Sequence, residues 1–188
     1  MSSVEIAKQL LIDFKSVMDK HRVTFWLDAS TLLAITREGR LFEHDAHDQD
    51  VGIYQEDFDK FAGLIPEFES VGLRLADRFE HPSGLSNEFR LSRDGHHLDI
   101  FIKPKRDGRR WWLSYLGEPG RIETYIPHHV EADHFDKLVT IPLWGGKWKI
   151  PSRVDDYLTD TYGDWRTPTK DWRWDVDPRC IDHSWEIR

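Results

Sequence analysis

The 188-residue chain predicts an α+β domain in which a mixed β-sheet is flanked by helices. Three observations predict it. An amphipathic helical pattern opens the chain, and two apolar segments of strand character bracket a small-residue turn and a helix between Phe25 and Ile53. Farther on, an Asp94-Gly95 turn joins two alternating apolar runs. Helical and strand periods therefore interleave, which is the pattern of helices packed on a sheet.

Taken in order, Ser2 and Glu5 form a capping box ahead of Ile6, Leu10, Leu11, Phe14, Val17 and Met18, whose spacing predicts a helix to about His21. Val23 to Leu27 is short, apolar and rich in β-formers, so it reads as a buried strand, turned by Asp28, Ala29 and Ser30 into a helix over Thr31 to Arg37. A second strand begins at Asp48 in DQDVGIY. Phe58, Phe61, Leu64, Ile65 and Phe68 have helical spacing across Glu56 to Ser70, with Pro66 expected to bend or end that run early. Leu73 to Phe79 reads as a weakly alternating strand and His81 to Leu85 as a loop. Phe89 and Leu91, then Asp94-Gly95, then Leu98, Ile100 and Ile102 predict a hairpin. From Trp111 to Pro142 the pattern is mixed, with Tyr115, Tyr125, His128, His129 and His134 scattered through short strands and loops, and assigns no chemistry. Val139 to Leu143, Gly145-Gly146 and Trp148 to Ile150 predict a second hairpin. Ser152 and Asp155 then resemble a capping box for a helix holding Val154, Tyr157, Leu158 and Tyr162, closed by Gly163. The expected organisation is one domain over 1–188, with 166–188 a tryptophan-rich tail packed on it. Trp165, Trp172, Trp174 and Trp185 crowd that end, as structural packing first and as a platform for a sugar or a base second.

The net charge of −8 argues against sequence-independent nucleic-acid or anionic-membrane binding, which needs a basic face. The one basic cluster, Lys103, Lys105, Arg106, Arg109 and Arg110, reads as a solvated loop, with phosphate contact the second reading. Cys180 is the single cysteine, so no internal disulfide forms, which suits a reducing compartment. With no apolar run of membrane length or signal-peptide character, the expected location is cytoplasmic.

The chemistry concentrates around DQD. Side chains two apart on a strand point the same way, so Asp48 and Asp50 stand side by side, where repulsion favours a bound cation. Hard divalent ions that work on phosphates, above all Mg²⁺, are held by one or two carboxylates plus substrate oxygens. The preceding loop with His44, Asp45 and His47 also admits a transition-metal reading, the weaker one for want of a zinc-type spacing. Ser30 and Thr31 open a helix, where free N–H groups suit a phosphate as well as they suit an ordinary N-cap. Asp99 alternates with Leu98 and Ile100. If its strand lies beside the DQD strand, it completes a three-carboxylate cluster.

The order strand, serine turn, helix, DxD strand and later aspartate is that of the polymerase β type of nucleotidyltransferase fold. Within that superfamily the chain most resembles the LicD/fukutin family, through WLDASTLLAITREGRLFEHDAHDQDVGI (Trp26 to Ile53), LDIFIK (Leu98 to Lys103) and IPSRVDDYLTDTYGDWRTP (Ile150 to Pro168). The resemblance implies dependence on Mg²⁺ or Mn²⁺. It also implies transfer of a phosphorylated alcohol, such as phosphocholine, ribitol phosphate or glycerol phosphate, from a CDP-activated donor to a hydroxyl of a cell-surface glycan. By the same resemblance Asp48 and Asp50 are the metal-binding pair, and Asp99 is the third carboxylate, which bridges the metal and can act as base toward the acceptor hydroxyl. Ser30, Thr31, Arg37 and Lys103 would contact substrate, and Tyr162 to Trp165 would be a closing motif, structural first. Ala29 and Ala34 depart from the family, which usually has glycine there, and the EHDAHDQD loop is spaced differently. The competing expectations are nucleotidyl transfer from a triphosphate with release of pyrophosphate, and a non-catalytic nucleotide-binding domain.

Overall fold

A computed structural model describes residues 1–81, 87–118 and 121–184. Helix α1 (Ser3–Lys20) starts at the capping box: the Glu5 amide donates to the Ser2 hydroxyl while the Ser2 amide donates to the Glu5 carboxylate. Its buried stripe is Ala7, Leu10, Leu11, Phe14, Val17 and Met18. Strand β1 (Phe25–Leu27) is buried throughout, and helix α2 (Ala29–Glu38) follows, ending on Gly39 at φ +70 in the left-handed conformation that glycine accepts without cost.

Strand β2 (Asp48–Tyr54) pairs antiparallel with β1 on one side and parallel with β5 (His96–Lys103) on the other. With β3 (Arg74–Glu80) and β4 (Asn87–Arg93) they form a five-stranded sheet in the order β1-β2-β5-β4-β3. The parallel pair is possible because β3, β4 and two short helices, α3 (Phe58–Ala62) and α4 (Ile65–Ser70), lie between its strands in sequence. The β4–β5 hairpin turns at Asp94 and Gly95, at φ +52 and +76.

A second sheet stands beside the first: β6 (Lys105–Arg106), β7 (Arg109–Glu118) and β8 (Arg121–Glu131), all antiparallel. A short helix α5 (Asp133–Asp136), the hairpin β9 (Leu138–Leu143) with β10 (Gly146–Pro151), and helix α6 (Val154–Tyr162) complete the elements. The tail then runs back along β8: the His129 amide donates to the Cys180 carbonyl at 2.9 Å, and the Asp182 amide to the Pro127 carbonyl at 2.8 Å.

Several expectations change. Glu56 to Ser70 is two short helices broken at Gly63 and Leu64, and Pro66 sits at the start of α4, where its missing N–H costs nothing. The stretch from Trp111 is one long hairpin rather than a mixture of short strands and loops. The second hairpin turns on Trp144 and Gly145 rather than Gly145 and Gly146. Helix α6 has no side-chain cap from Ser152; Arg153 stands at the cap and pairs instead with Asp133 and Asp156. Nor is the basic cluster simply a solvated loop. Lys103 and Arg110 are buried, Arg110 donating to the Lys103 carbonyl at 2.8 Å. The loop expected over His81 to Leu85 falls outside the described residues after His81, and Trp185 does as well.

One close approach holds β1 against β2. Trp26 is fully buried, and a Cβ added to Gly52 would sit 2.4 Å from its ring. Gly52→Ala must therefore displace a packed indole and should lower stability by about 1–3 kcal/mol, read from denaturant unfolding; an unchanged midpoint would show that the ring moves freely.

Candidate functional site

A cavity of about 460 Å³ opens between the two sheets. Its floor begins at the β1–α2 turn. Asp28 is the N-cap of α2, its carboxylate accepting from the Ala29 amide at 2.9 Å. Ala29 has φ +38, a conformation that costs an L-residue about 1–2 kcal/mol and comes easily to glycine. The tight turn is thus kept although alanine occupies the position. It aims the Ser30 amide and hydroxyl at Asp50, both donating to Oδ2, at 2.9 and 2.7 Å.

The β2–β5 register places Asp50 directly opposite Asp99. Asp50 is buried, and its carboxyl is pushed well above the usual range by desolvation and then by the charge of Asp48, with Ser30 pulling the other way. Asp48 lies open to water on one side while the cavity wall crowds it on the other. Desolvation and then the charge of Asp99 raise it to about 7, although access to water screens part of that effect. Asp45, half-buried at the rim, is also raised, chiefly by desolvation. Acids crowded this way favour proton or cation uptake.

Two cations are already engaged. Arg90 grips Asp99 with both arms of its fork, Nε to Oδ1 at 2.7 Å and Nη2 to Oδ2 at 2.6 Å, and its side chain keeps one face in the cavity. Lys103 lies 2.6 Å from Asp28 Oδ2, a charge contact without hydrogen-bond alignment, and donates to the Tyr157 hydroxyl at 3.2 Å. Tyr157 in turn donates to Asp28 Oδ1 at 2.5 Å, and the Lys103 ammonium sits 4.2 Å from the Trp112 ring centroid. Glu88, buried beside Arg90 on β4, is pushed well above the usual carboxyl range by desolvation and then by Asp99. On the far wall His128 stacks on Trp112 and meets Cys180 at 3.6 Å. Burial lowers the imidazole to about 3 and raises the thiol to about 12, so both are neutral packing groups.

Of the residues singled out in the sequence, Asp48, Asp50, Asp99, Ser30 and Lys103 line this one cavity. Thr31 stands behind it, accepting from the Asp50 amide at 2.8 Å and donating to Gln49 at 3.3 Å. Arg37 is turned away, donating to the Trp165 carbonyl and stacked on Phe42. His44 stacks on Phe42 and His47 on His96, both outside the cavity lining. Among the described residues no group of three or more His, Cys, Asp or Glu side chains is gathered to enclose an ion. The Asp48 and Asp50 pair has the oxygen chemistry and shape of a site that a phosphate substrate would complete. Arg90 escaped sequence reasoning, although counting back from the Asp94-Gly95 turn pairs it with Asp99. Trp112 and His128 carry no such signal, because short strands without a register do not say which residues face one another across the hairpin.

The sheet order and the acid-lined cavity accord with a nucleotidyltransferase domain. The profile described as LicD/FKTN/FKRP, nucleotidyltransferase domain, matches residues 22–153, and the chain belongs to that family. Uncharacterized protein RP689 of Rickettsia prowazekii (strain Madrid E) is 31% identical over 126 residues, which cover 67% of this chain and 42% of that protein. Uncharacterized protein RT0683 of Rickettsia typhi (strain ATCC VR-144 / Wilmington) is 31% identical over 67 residues, 36% of this chain and 21% of that protein. The chain therefore spans less than half the length of these relatives. The solution structure of the antibiotic-resistance factor ANT(2'')-Ia aligns with a TM-score of 0.47 at 16% identity, over 81% of this chain and 67% of that one. Among the described residues no helix is long and apolar enough to cross a membrane.

Two measurements test the electrostatics. Lys103→Met leaves Asp28 buried without its cation and should cost about 3–5 kcal/mol of stability in the absence of any ligand; a loss confined to ligand binding would make Lys103 a substrate contact instead. A carboxyl held above its ordinary value of 3.8 in the fold makes the folded state less stable as pH rises beyond that value. Asp50→Asn removes that effect. Its melting temperature in chelator should exceed that of the unaltered protein, by a margin that widens from pH 5 to pH 8; a margin independent of pH would show that Asp50 is not a strained acid.

Proposed function

We propose that the protein transfers a phosphorylated alcohol from a CDP-activated donor to a hydroxyl of a glycan. The observation that carries this reading is the placement of Asp48 and Asp50 in one cavity with the partly exposed Arg90 guanidinium. That is an oxygen pair for a divalent cation beside a fixed positive group for phosphate. Asp48 and Asp50 would hold the ion, and the chemistry supplied by Mg²⁺ or Mn²⁺ there is neutralisation of a diphosphate's charge.

The chain's own groups do the rest. Ser30 holds Asp50 in place through two hydrogen bonds to one oxygen. Arg90, fixed by Asp99, presents its remaining N–H groups to the donor phosphate, a use suited to a planar guanidinium. Each Asp99 oxygen keeps acceptor capacity beyond Arg90, so Asp99 can take a hydrogen bond from the acceptor hydroxyl and then its proton. The hydroxyl oxygen forms a bond to the phosphorus bearing the alcohol, the bond from that phosphorus to the bridging oxygen breaks, and CMP leaves. The exposed side of Asp48 leaves the cavity open there to the acceptor.

Calorimetric titration with CDP and with CTP, each with Mg²⁺ and again with chelator, tests the proposal. Metal-dependent CDP binding, abolished in Asp48→Ala while the variant stays folded, is the expected result. Preference for CTP with release of pyrophosphate on turnover would make the protein a nucleotidyltransferase, and metal-independent or absent nucleotide binding would end the enzyme reading.

A further inference from the structure

The tail after α6 forms part of the cavity wall, through Trp172, Trp174 and Pro178, and it lies outside the segment that matches the family profile. Trp172 packs against Tyr162 at a centroid distance of 4.9 Å. Pro178 and Cys180 are buried, the Arg179 amide donates to the Thr161 carbonyl at 3.3 Å, and Ile181 bridges to His128. The turn between these anchors is tied to itself. The Arg173 amide donates to Asp177 at 2.5 Å, the Asp177 amide to the Arg173 carbonyl at 2.9 Å, and the Arg173 guanidinium to Asp175 at 2.6 Å. The turn therefore carries Trp174 on a clamped support. The indole is 46% exposed, the one large aromatic side chain among the described residues so open to water, and it faces the cavity.

A fixed, exposed indole on the wall of a polar cavity is a stacking surface. We propose that Trp174 is the platform on which the nucleobase of the donor stacks. This rests on the nucleotide-donor reading above. Two observations favour a flat base over a sugar. The indole shares its cavity with the Asp48, Asp50 and Arg90 seat for the diphosphate, and the base is covalently joined to that group. The polar side chains around it, Arg173, Asp175 and Asp177, are engaged with one another, so the surface offers a π-face with few free partners for a ring of hydroxyls.

The test is calorimetry with CDP, with inorganic pyrophosphate and with a methyl pyranoside, each with Mg²⁺, on the full chain and on Trp174→Ala and Trp174→Phe. Loss of one base-stacking contact weakens binding by about 5- to 150-fold. Trp174→Ala should lose that much for CDP and nothing for pyrophosphate, and Trp174→Phe, which keeps an aromatic face, should recover most of the affinity. Unchanged CDP affinity in Trp174→Ala overturns the stacking role and leaves the donor reading standing. An equal loss for CDP and pyrophosphate also overturns it, making the turn structural, as does weakened pyranoside binding with CDP unaffected. Absence of CDP binding in the unaltered protein overturns both proposals.

Discussion

The cavity depends on the parallel pairing of β2 with β5. That register sets Asp50 opposite Asp99, and the neighbouring antiparallel pairing sets Arg90 opposite Asp99 from the other side. Because strand side chains alternate faces, a slip of one residue on any of these strands would turn its acid or its arginine into the apolar core. Val51, Ile53, Ile100 and Ile102 are fully buried on the opposite parity, which makes such a slip costly. Packing thus holds the polar face in place without any polar group having to specify it.

Charge in the cavity is arranged unevenly. Asp28 and Asp99 each have a cation at 2.6 Å, from Lys103 and Arg90 respectively. Asp48, Asp50 and Glu88 form no ion pair among the described residues and are all pushed above the ordinary carboxyl range. The paired acids hold the site's shape. The unpaired ones are crowded in a way that uptake of a proton, or of the proposed cation, would relieve. Lys103 is held by the fold as much as it faces the cavity: its ammonium lies among Asp28, Tyr157 and the Trp112 ring, with almost no contact with water.

The second sheet and the tail wall this acidic floor into a cavity that stays open on one side. Trp112 and His128 on β7 and β8 supply a far wall, and the tail, laid along β8, supplies the mouth. The buried Cys180 thiol contributes to that seam as a packing group beside His128, and its inertness follows from the same burial that keeps the imidazole neutral.

Much of this was legible in local pattern. The capping box at Ser2, the period of α1, the DQD strand and the Asp94-Gly95 hairpin are signals within a few residues, set by backbone geometry that each stretch carries alone, and the structure contains all four. So was the meeting of Asp48, Asp50 and Asp99 on one face, since strand alternation needs only the assumption that β2 and β5 are neighbours. What local pattern left open required partners distant in the chain. The break in Glu56 to Ser70 lies where a continuous apolar period promised one helix. The β7–β8 hairpin, buried towards its base and exposed towards its turn, shows no clean alternation. Whether Lys103 meets substrate or Asp28 depends on a residue 75 positions earlier and a tyrosine from α6. Arg37 and Thr31 have the residue types of phosphate ligands, yet tertiary packing turned one to Trp165 and the other behind Asp50. Short-range geometry chose the elements and the acids; only the packing of the sheets and the tail decided which charges are neutralised, which stay exposed to a ligand, and where the cavity closes.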